Sequence, residues 1–377
     1  REVSGTSELY VDGRGSKEEI DIFPGKPLNN KLAGNVVDIC PVGALLDKEF
    51  LFKQRVWLLK RVPSISPADS GGENIYLEHN EGIVYRIKPR YNADVNGWWI
   101  SDDTRYSYKP VHNVGRLRVP RRPQYGSQID TTFHNAFEEA KGELTRIVEK
   151  NGQGSLFAML SPMMACEEAY LLGKAIRAAD PQAVLILGPV PRSGQDEVFH
   201  NSMNGKQTFT IKAEKVPNAA GIRRVIGLLG GPNATWDDVL ANTKPEVTKL
   251  KGGWIVGGYL SNWVSPDLPP LLRSGFRVVQ DILPNALVSV ADVVLPSAAW
   301  AEKDGCWENH AGRIQPFAAA IAPPDGARRD GDVYYKLLNR PGLYNAEVVR
   351  QEMGEPFVSV QFPAEVEHAA APQFVEL

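Results

Sequence analysis

Residues 156–187, LFAMLSPMMACEEAYLLGKAIRAADPQAVLIL, contain two short apolar runs on either side of a segment with helical spacing. The runs Leu156–Leu160 and Ala183–Leu187 are long enough for buried strands, and 165–178 predicts the helix between them. A strand, a helix and a second strand in this order form a β-α-β unit, which requires a parallel sheet. This stretch therefore predicts an α/β fold.

The same alternation continues on both sides of this unit. Upstream, apolar residues from Phe133 to Val148 recur at helical spacing and stop at Lys150-Asn151-Gly152. Downstream, further apolar strands and a short helix are predicted at 254–257, 269–273 (the helix), 276–280 and 292–296. The pattern indicates a doubly wound, mostly parallel sheet, whose strand ends form a crevice where dinucleotide-like ligands usually bind.

Shorter β-type runs precede this region. They lie at 56–59, 74–78 and 83–88, with Gly71-Gly72 and Glu81-Gly82 as turns. They predict a small β unit over residues 53–109, a name kept below for this range. Residues 110–130, rich in proline and arginine, are predicted as a linker.

The segment AGNVVDICPVGAL, residues 33–45, contains a cysteine, Cys40, followed by proline and a small-residue turn. Proline fixes the direction of the chain, and Gly43 lets backbone amides approach sulfur, which suits an iron-sulfur ligand. A four-iron cluster needs about four ligands, and no closely spaced cysteine run is present. A buried structural thiol is therefore the alternative for Cys40.

Composition narrows the function classes. The 377 residues include three widely separated cysteines, so a disulfide framework is not expected. A net charge of −3 gives no indication of a nucleic-acid surface, and no apolar run approaches the ~20 residues that span a bilayer. The composition is typical of a globular protein of two or three domains in a reducing compartment.

Residues 1–9, 32–45 and 50–57 together resemble the large iron-sulfur (G) subunit of respiratory NADH:quinone oxidoreductase (complex I). The resemblance implies that Cys40 is the last ligand of a 4Fe-4S cluster whose other three cysteines lie upstream. It also implies that the chain is an N-terminally truncated fragment with an incomplete cluster site.

A second segment, ADVVLPSAAWAEKDG at 291–305 continuing to Gln315, resembles the molybdopterin oxidoreductase superfamily. In that superfamily the equivalent of the β unit binds a 4Fe-4S cluster, but 64–70 and 97–102 contain no cysteine here, and serine is a poor substitute for a thiolate. The β unit is therefore expected to lack a cluster. Departures from the family pattern occur at Cys306, Trp307, His310 and Ala311.

Other candidate sites have weaker support. The loop 188–200 contains Ser193 and Asp196 but no recognisable molybdenum ligand motif, so no molybdopterin is expected. Cys166 is expected to act as a small apolar residue. Cys306, with Glu302, Glu308 and His310 nearby, fits no common zinc spacing.

The resemblance implies four parts: residues 1–52, the end of a ferredoxin-like iron-sulfur segment; 53–109, the cysteine-free β unit; 110–345, a molybdopterin oxidoreductase-like α/β domain; and 346–377, an extended tail. The implied function is electron transfer from a flavin to quinone within complex I, with Cys40 as metal ligand and no catalytic residue. Implied partners are the NADH-binding flavoprotein subunit and the quinone-site subunits, on the cytoplasmic face of the bacterial inner membrane. Alternatives are a formate dehydrogenase-like molybdopterin enzyme, a cofactor-free interaction scaffold, or a subunit of an NAD-reducing hydrogenase.

Overall fold

The computed structural model describes residues 2–242, 244–265, 268 and 270–361. Its strands are β1 Leu9–Asp12, β2 Glu19–Ile22, β3 Lys60–Ile65, β4 Asn74–Asn80, β5 Ile83–Pro89, β6 Arg121–Gln124, β7 Ser127–Asp130, β8 Leu156–Leu160, β9 Val184–Leu187, β10 Glu197–His200, β11 Gln207–Ile211, β12 Asn233–Thr235, β13 Gly252–Val256, β14 Phe276–Asp281, β15 Val293–Pro296, β16 Gly305–Glu308 and β17 Ile314–Phe317. Its helices are α1 Asn35–Ile39, α2 Asp102–Arg105, α3 Phe133–Asn151, α4 Cys166–Ala179, α5 Ala219–Leu229, α6 Trp236–Ala241, α7 Pro245–Thr248, α8 Pro270–Arg273, α9 Ala286–Val290, α10 Asp330–Leu337 and α11 Ala346–Met353.

The central element is a sheet in the order β12-β9-β8-β13-β14-β15-β6-β7. From β12 to β15 every neighbouring pair is parallel. The chain first winds outward from β8 to β12 and then from β13 to β15 on the other side, so the winding reverses between β8 and β13. The predicted doubly wound sheet is confirmed, as are its predicted strands.

Alternation along the strands sends side chains to both faces of this sheet. In β8, Leu156, Ala158 and Leu160 join the core beneath α3, α4, α5 and α10, whereas Phe157 and Met159 join the opposite core beneath α6 to α9. The predicted helix at 133–148 is α3. Thr132 caps its N-terminus by accepting from the Asn135 N–H, and Gly152, at a φ of 82°, ends it.

The β unit forms an antiparallel sheet, β3-β4-β5, closed by the predicted Glu81-Gly82 turn. The strand predicted at 56–59 is wrong. Residues Val56–Leu58 form a 3₁₀ turn with side chains 53%, 77% and 50% exposed, and the strand begins at Lys60. Apolar β-type residues here have no partner strand, and without one their backbone groups cannot form a ladder.

Two more expectations are corrected. The predicted linker 110–130 contains the hairpin β6–β7, which joins β15 at the sheet edge; Pro123 is tolerated there because an edge strand need not donate every N–H. The predicted extended tail 346–377 begins with α11. Asn345 caps this helix, and its apolar residues Ala346, Val349 and Met353 are buried at helical spacing. Residues 362–377 lie outside the described chain.

Within the described ranges, no helix has both the length and the apolar character needed to cross a bilayer.

Candidate functional site

Cys40 follows α1 directly and begins a turn, residues 40–45, that we call the cysteine loop. The residue is half-buried and forms no disulfide. Pro41 comes next, and Gly43 adopts a φ of 67°, a left-handed conformation that suits glycine. This backbone turns the amides of the loop back toward the sulfur.

The N–H groups of the cysteine loop interact with the Cys40 thiol. Hydrogen bonds from the backbone of Leu45 and Val42, and to a lesser extent Ala44 and Gly43, lower the pKa of Cys40, with desolvation opposing them. Amide donors around a thiolate spread its negative charge, as they do around iron-sulfur clusters. The donor set therefore fits a thiolate metal ligand with an open side.

The segment that carries Cys40 is docked onto residues 100–105 of the β unit. The Asn35 amide exchanges hydrogen bonds with the backbone of Ile100, and the Gly34 N–H donates to Asp102 Oδ1. Asp38, two residues before Cys40, forms ion pairs with Arg105 and Lys88. These contacts fix α1, and through it the start of the cysteine loop.

Other candidate metal ligands are not gathered around Cys40. Over the residues that the structure describes, no group of three or more His, Cys, Asp or Glu side chains is arranged to hold a metal ion. Cys166 and Cys306 are fully buried beside each other in the core of the large sheet. Glu302 binds Arg116, Glu308 binds Arg224, and the His310 ring contacts the Ser70 carbonyl. These residues hold the fold together.

The places where relatives of the β unit would need thiolates contain a buried network of hydroxyl groups around Glu73. Ser101 donates from its N–H and its hydroxyl to the two Glu73 oxygens, while Thr104 links the hydroxyls of Ser101 and Ser66. Burial, together with the nearby charge of Asp69, raises the pKa of Glu73 to about 8. The network offers oxygen atoms and a protonated carboxyl group, a poor donor set for iron-sulfur chemistry.

The crevice at the carboxyl ends of β13 and β14 contains a cavity of about 220 Å³. Tyr259 and Trp263 stack at its wall with ring centroids 4.9 Å apart. Asp281, also in the wall, accepts from the backbone N–H groups of Gly258 and Ile282 and from Trp263 and Asn285. The volume lies below the ~300 Å³ at which small-molecule pockets usually begin, and the Asp281 oxygens are already hydrogen-bonded by the protein.

The loop considered for molybdenum is likewise held by internal contacts. Asp196 accepts from the Ala213 N–H and from Lys212, and the Ser193 N–H donates to the Ala213 carbonyl.

The sequence interpretation identified Cys40 but missed the residues that fix its position. Asn35 and Asp38 stand in the quoted motif, yet their partners Ile100 and Arg105 lie 65 and 67 positions away. Glu73 carried no sequence signal beyond lying between two serine-rich segments. Lys303, in the second segment, pairs with Glu168 and Asp330 deep inside the fold.

Three family models match the chain. Residues 1–46 match the ferredoxin-like domain of NADH-quinone oxidoreductase subunit 3. Residues 59–109 match the NADH-ubiquinone oxidoreductase NDSU1/NuoG-like 4Fe-4S domain, although this chain has no cysteine there. Residues 234–340 match the molybdopterin oxidoreductase family.

Curated relatives carry the same description. The 75 kDa subunit of NADH-ubiquinone oxidoreductase from Reclinomonas americana is 30% identical over 68% of this chain and 37% of its own length. The G subunit of NADH-quinone oxidoreductase from Rickettsia felis is 24% identical over 94% of this chain and 67% of its own. Among solved structures, acetylene hydratase from Pelobacter acetylenicus superposes with a TM-score of 0.42 and 9% identity over 74% of this chain and 69% of that chain. The chain spans 37%, 14% and 60% of the length of three curated relatives that it matches. Because the matched segments and the named relatives agree, the chain belongs to the family of the large iron-sulfur (G) subunit of NADH-quinone oxidoreductase.

Proposed function

We propose that this chain is an electron-transfer and scaffold subunit in the peripheral arm of NADH:quinone oxidoreductase. Cys40 is one thiolate ligand of a 4Fe-4S cluster that relays electrons from an NADH-reduced flavin toward quinone. The observation that carries the proposal is the set of backbone N–H groups that the cysteine loop directs at the half-buried Cys40 sulfur. A structural thiol in a core is surrounded by apolar side chains, as Cys166 is.

Within this proposal the cluster supplies one-electron transfer, and the protein supplies its fixed environment. Cys40 holds one iron, and the amides of residues 42–45 stabilise negative charge on sulfur. The other ligands are proposed to lie outside this chain's sequence, upstream in the family. Residues 1–52 would form the end of this cluster segment, with the β unit at 53–109 and the α/β domain at 110–345 as its support.

The α/β domain is proposed to act as a scaffold. Its crevice is narrow and its polar wall groups are satisfied by the protein, which supports a structural role better than that of a molybdopterin-dependent oxidoreductase. The named relatives are subunits of NADH-quinone oxidoreductase, so the formate dehydrogenase-like alternative is not favoured. A cofactor-free interaction scaffold would leave the amide arrangement around Cys40 without a purpose.

The partners follow from the same family. We propose that the chain contacts other peripheral-arm subunits, including the NADH-binding flavoprotein and the quinone-site subunits. It would lie at the cytoplasmic face of the bacterial inner membrane, held there through those partners.

The test compares two electron routes in an assembled complex that contains Cys40→Ser. NADH oxidation by an artificial acceptor at the flavin should stay near the wild-type rate, whereas NADH:quinone reduction should fall at least tenfold. Cys166→Ser is the matched control because it changes an equally small thiol that lies in the core. Normal quinone reduction in fully assembled Cys40→Ser complex would contradict the proposal.

A further inference from the structure

We infer that the cysteine-free β unit has a function of its own: it positions Cys40 through Asn35, and its cations Arg105 and Lys88, with Asp38, set the reduction potential of the cluster that Cys40 binds. This inference rests on the proposed role of Cys40 as a cluster ligand. It assigns Asn35, Asp38, Lys88 and Arg105 as positioning residues, which act through the segment that carries the thiolate.

Asn35 joins the two parts at the level of the backbone. Its Nδ2 donates to the Ile100 carbonyl at 2.8 Å, and its Oδ1 accepts from the Ile100 N–H at 3.1 Å, as a neighbouring strand would do. The same Nδ2 lies 2.9 Å from the Leu32 carbonyl. The side chain is buried, so loss of this amide would leave both Ile100 groups without their partner.

Gly34 allows this close approach. Its φ of −61° is open to any residue, so the requirement for glycine is one of space. A Cβ atom built there would lie 2.4 Å from Arg105 Nε and 2.6 Å from Asp102 Oδ1. The glycine of the motif therefore serves the contact with the β unit, and Arg105 lies directly against the start of α1.

A compact charge cluster lies beside α1. Asp38 Oδ2 is 2.7 Å from Arg105 Nη2, and its other oxygen pairs with Lys88. The side chains of Arg105 and Asp38 are only 5% and 12% exposed, so solvent screens them weakly. Asp102 lies 3.7 Å from Arg105 Nε and completes a set of two acids and two bases.

Charge in this position acts directly on electron affinity. A cluster gains one negative charge when it is reduced, so a nearby cation stabilises the reduced state and a nearby anion destabilises it. Removing Arg105 or Lys88 should lower the potential, and removing the charge of Asp38 should raise it. A purely structural role would give no such opposition of sign, because damage to the fold lowers cluster occupancy whichever residue is changed.

The experiment is an EPR-monitored redox titration of the assembled complex, following the four-iron signal that Cys40→Ser removes. Arg105→Gln and Lys88→Gln should shift the midpoint of that signal to lower potential, and Asp38→Asn to higher potential. Arg105→Lys, which keeps the charge, should stay near wild type. Arg61→Gln is the matched control, since Arg61 pairs with Glu78 at 2.6 Å elsewhere on the β unit; it should leave the midpoint unchanged.

Asn35→Ala should change the line shape of the signal without the charge-dependent shift. Shifts of equal sign in Lys88→Gln and Asp38→Asn, or no shift in either, would overturn the inference. If Arg105→Gln assembles no cluster, the solvent-accessible Lys88, 21% exposed, still provides the decisive variant. If Cys40→Ser removes no signal at all, the proposed function itself fails, and the two failures are thereby distinguished.

Discussion

Replacing Lys303 by methionine should destabilise the α/β domain severely. Lys303 Nζ lies 2.8 Å from a carboxylate oxygen of Glu168 and 2.8 Å from one of Asp330, with all three side chains buried. Burial alone would lower the pKa of Lys303, but the two carboxylates more than reverse this and raise it, so the ammonium is charged. Asp330 also accepts from Ser297 and Gln280, which ties the triad to β14 and the segment after β15.

The magnitude follows from what the substitution leaves behind. Methionine fills much of the lysine volume but leaves two buried carboxylates facing each other. Breaking a buried ion pair by removing one partner costs about 3–5 kcal/mol, a large share of the roughly 5–15 kcal/mol that stabilises a typical domain. Burial raises the pKa of Glu168 to about 7 even with Lys303 present, so proton uptake at low pH should relieve part of the loss.

Urea unfolding of the purified chain at pH 7.5 and pH 5.5 measures the effect. Lys303→Met should lower the free energy of unfolding by about 3–5 kcal/mol at the higher pH and by less at the lower pH. Lys174→Met is the control, because Lys174 pairs with Glu352 at 3.4 Å on the exposed side of α4 and should cost at most about 1 kcal/mol. Equal effects of the two variants would refute the assignment of Lys303 as a structural residue.

Two further predictions concern the pH response and the backbone. Between the unfolded pKa near 4.5 and the folded pKa of about 8, the native state retains a proton on Glu73 that the unfolded state releases. Stability should therefore fall as pH rises through this window, by up to about 1.4 kcal/mol per unit, and Glu73→Gln should flatten the slope in pH-dependent urea titrations; an unchanged slope would contradict the assignment. Gly326 has a φ of 86°, and an added Cβ would lie 1.8 Å from the Arg118 carbonyl oxygen, so Gly326→Ala should cost more than the roughly 1–2 kcal/mol expected from the backbone conformation alone. Gly342, at a φ of 84° in open space, provides the comparison by thermal unfolding, and equal losses would argue against the close contact.

The large sheet could be predicted because its information is local. Buried parallel strands are short apolar runs, and α3 and α4 have clear helical spacing and ends, so each element was visible within its own window. The strand expected at 56–59 failed because β-type residues specify a strand only where a partner accepts the backbone groups. The β6–β7 hairpin was missed for the opposite reason, since an edge strand tolerates Pro123 and charged residues.

The site divides in the same way. Cys40 could be identified from the residues that follow it, because the turn that supplies amides to sulfur is encoded within six positions. The functions of Asn35 and Asp38 could not, since each depends on a residue more than sixty positions away, and a single sequence carries no sign of that contact. Glu73 was hidden for a related reason: its burial arises only when the β unit closes over it.

The central claim is that Cys40 holds a 4Fe-4S cluster, and the EPR spectrum of the reduced, assembled complex tests it most directly. Cys40→Ser should remove or strongly alter one four-iron signal and leave the remaining signals at wild-type intensity, whereas Cys166→Ser should leave all of them intact. A Cys40→Ser spectrum in which every cluster signal persists at full intensity would show that Cys40 is an ordinary cysteine.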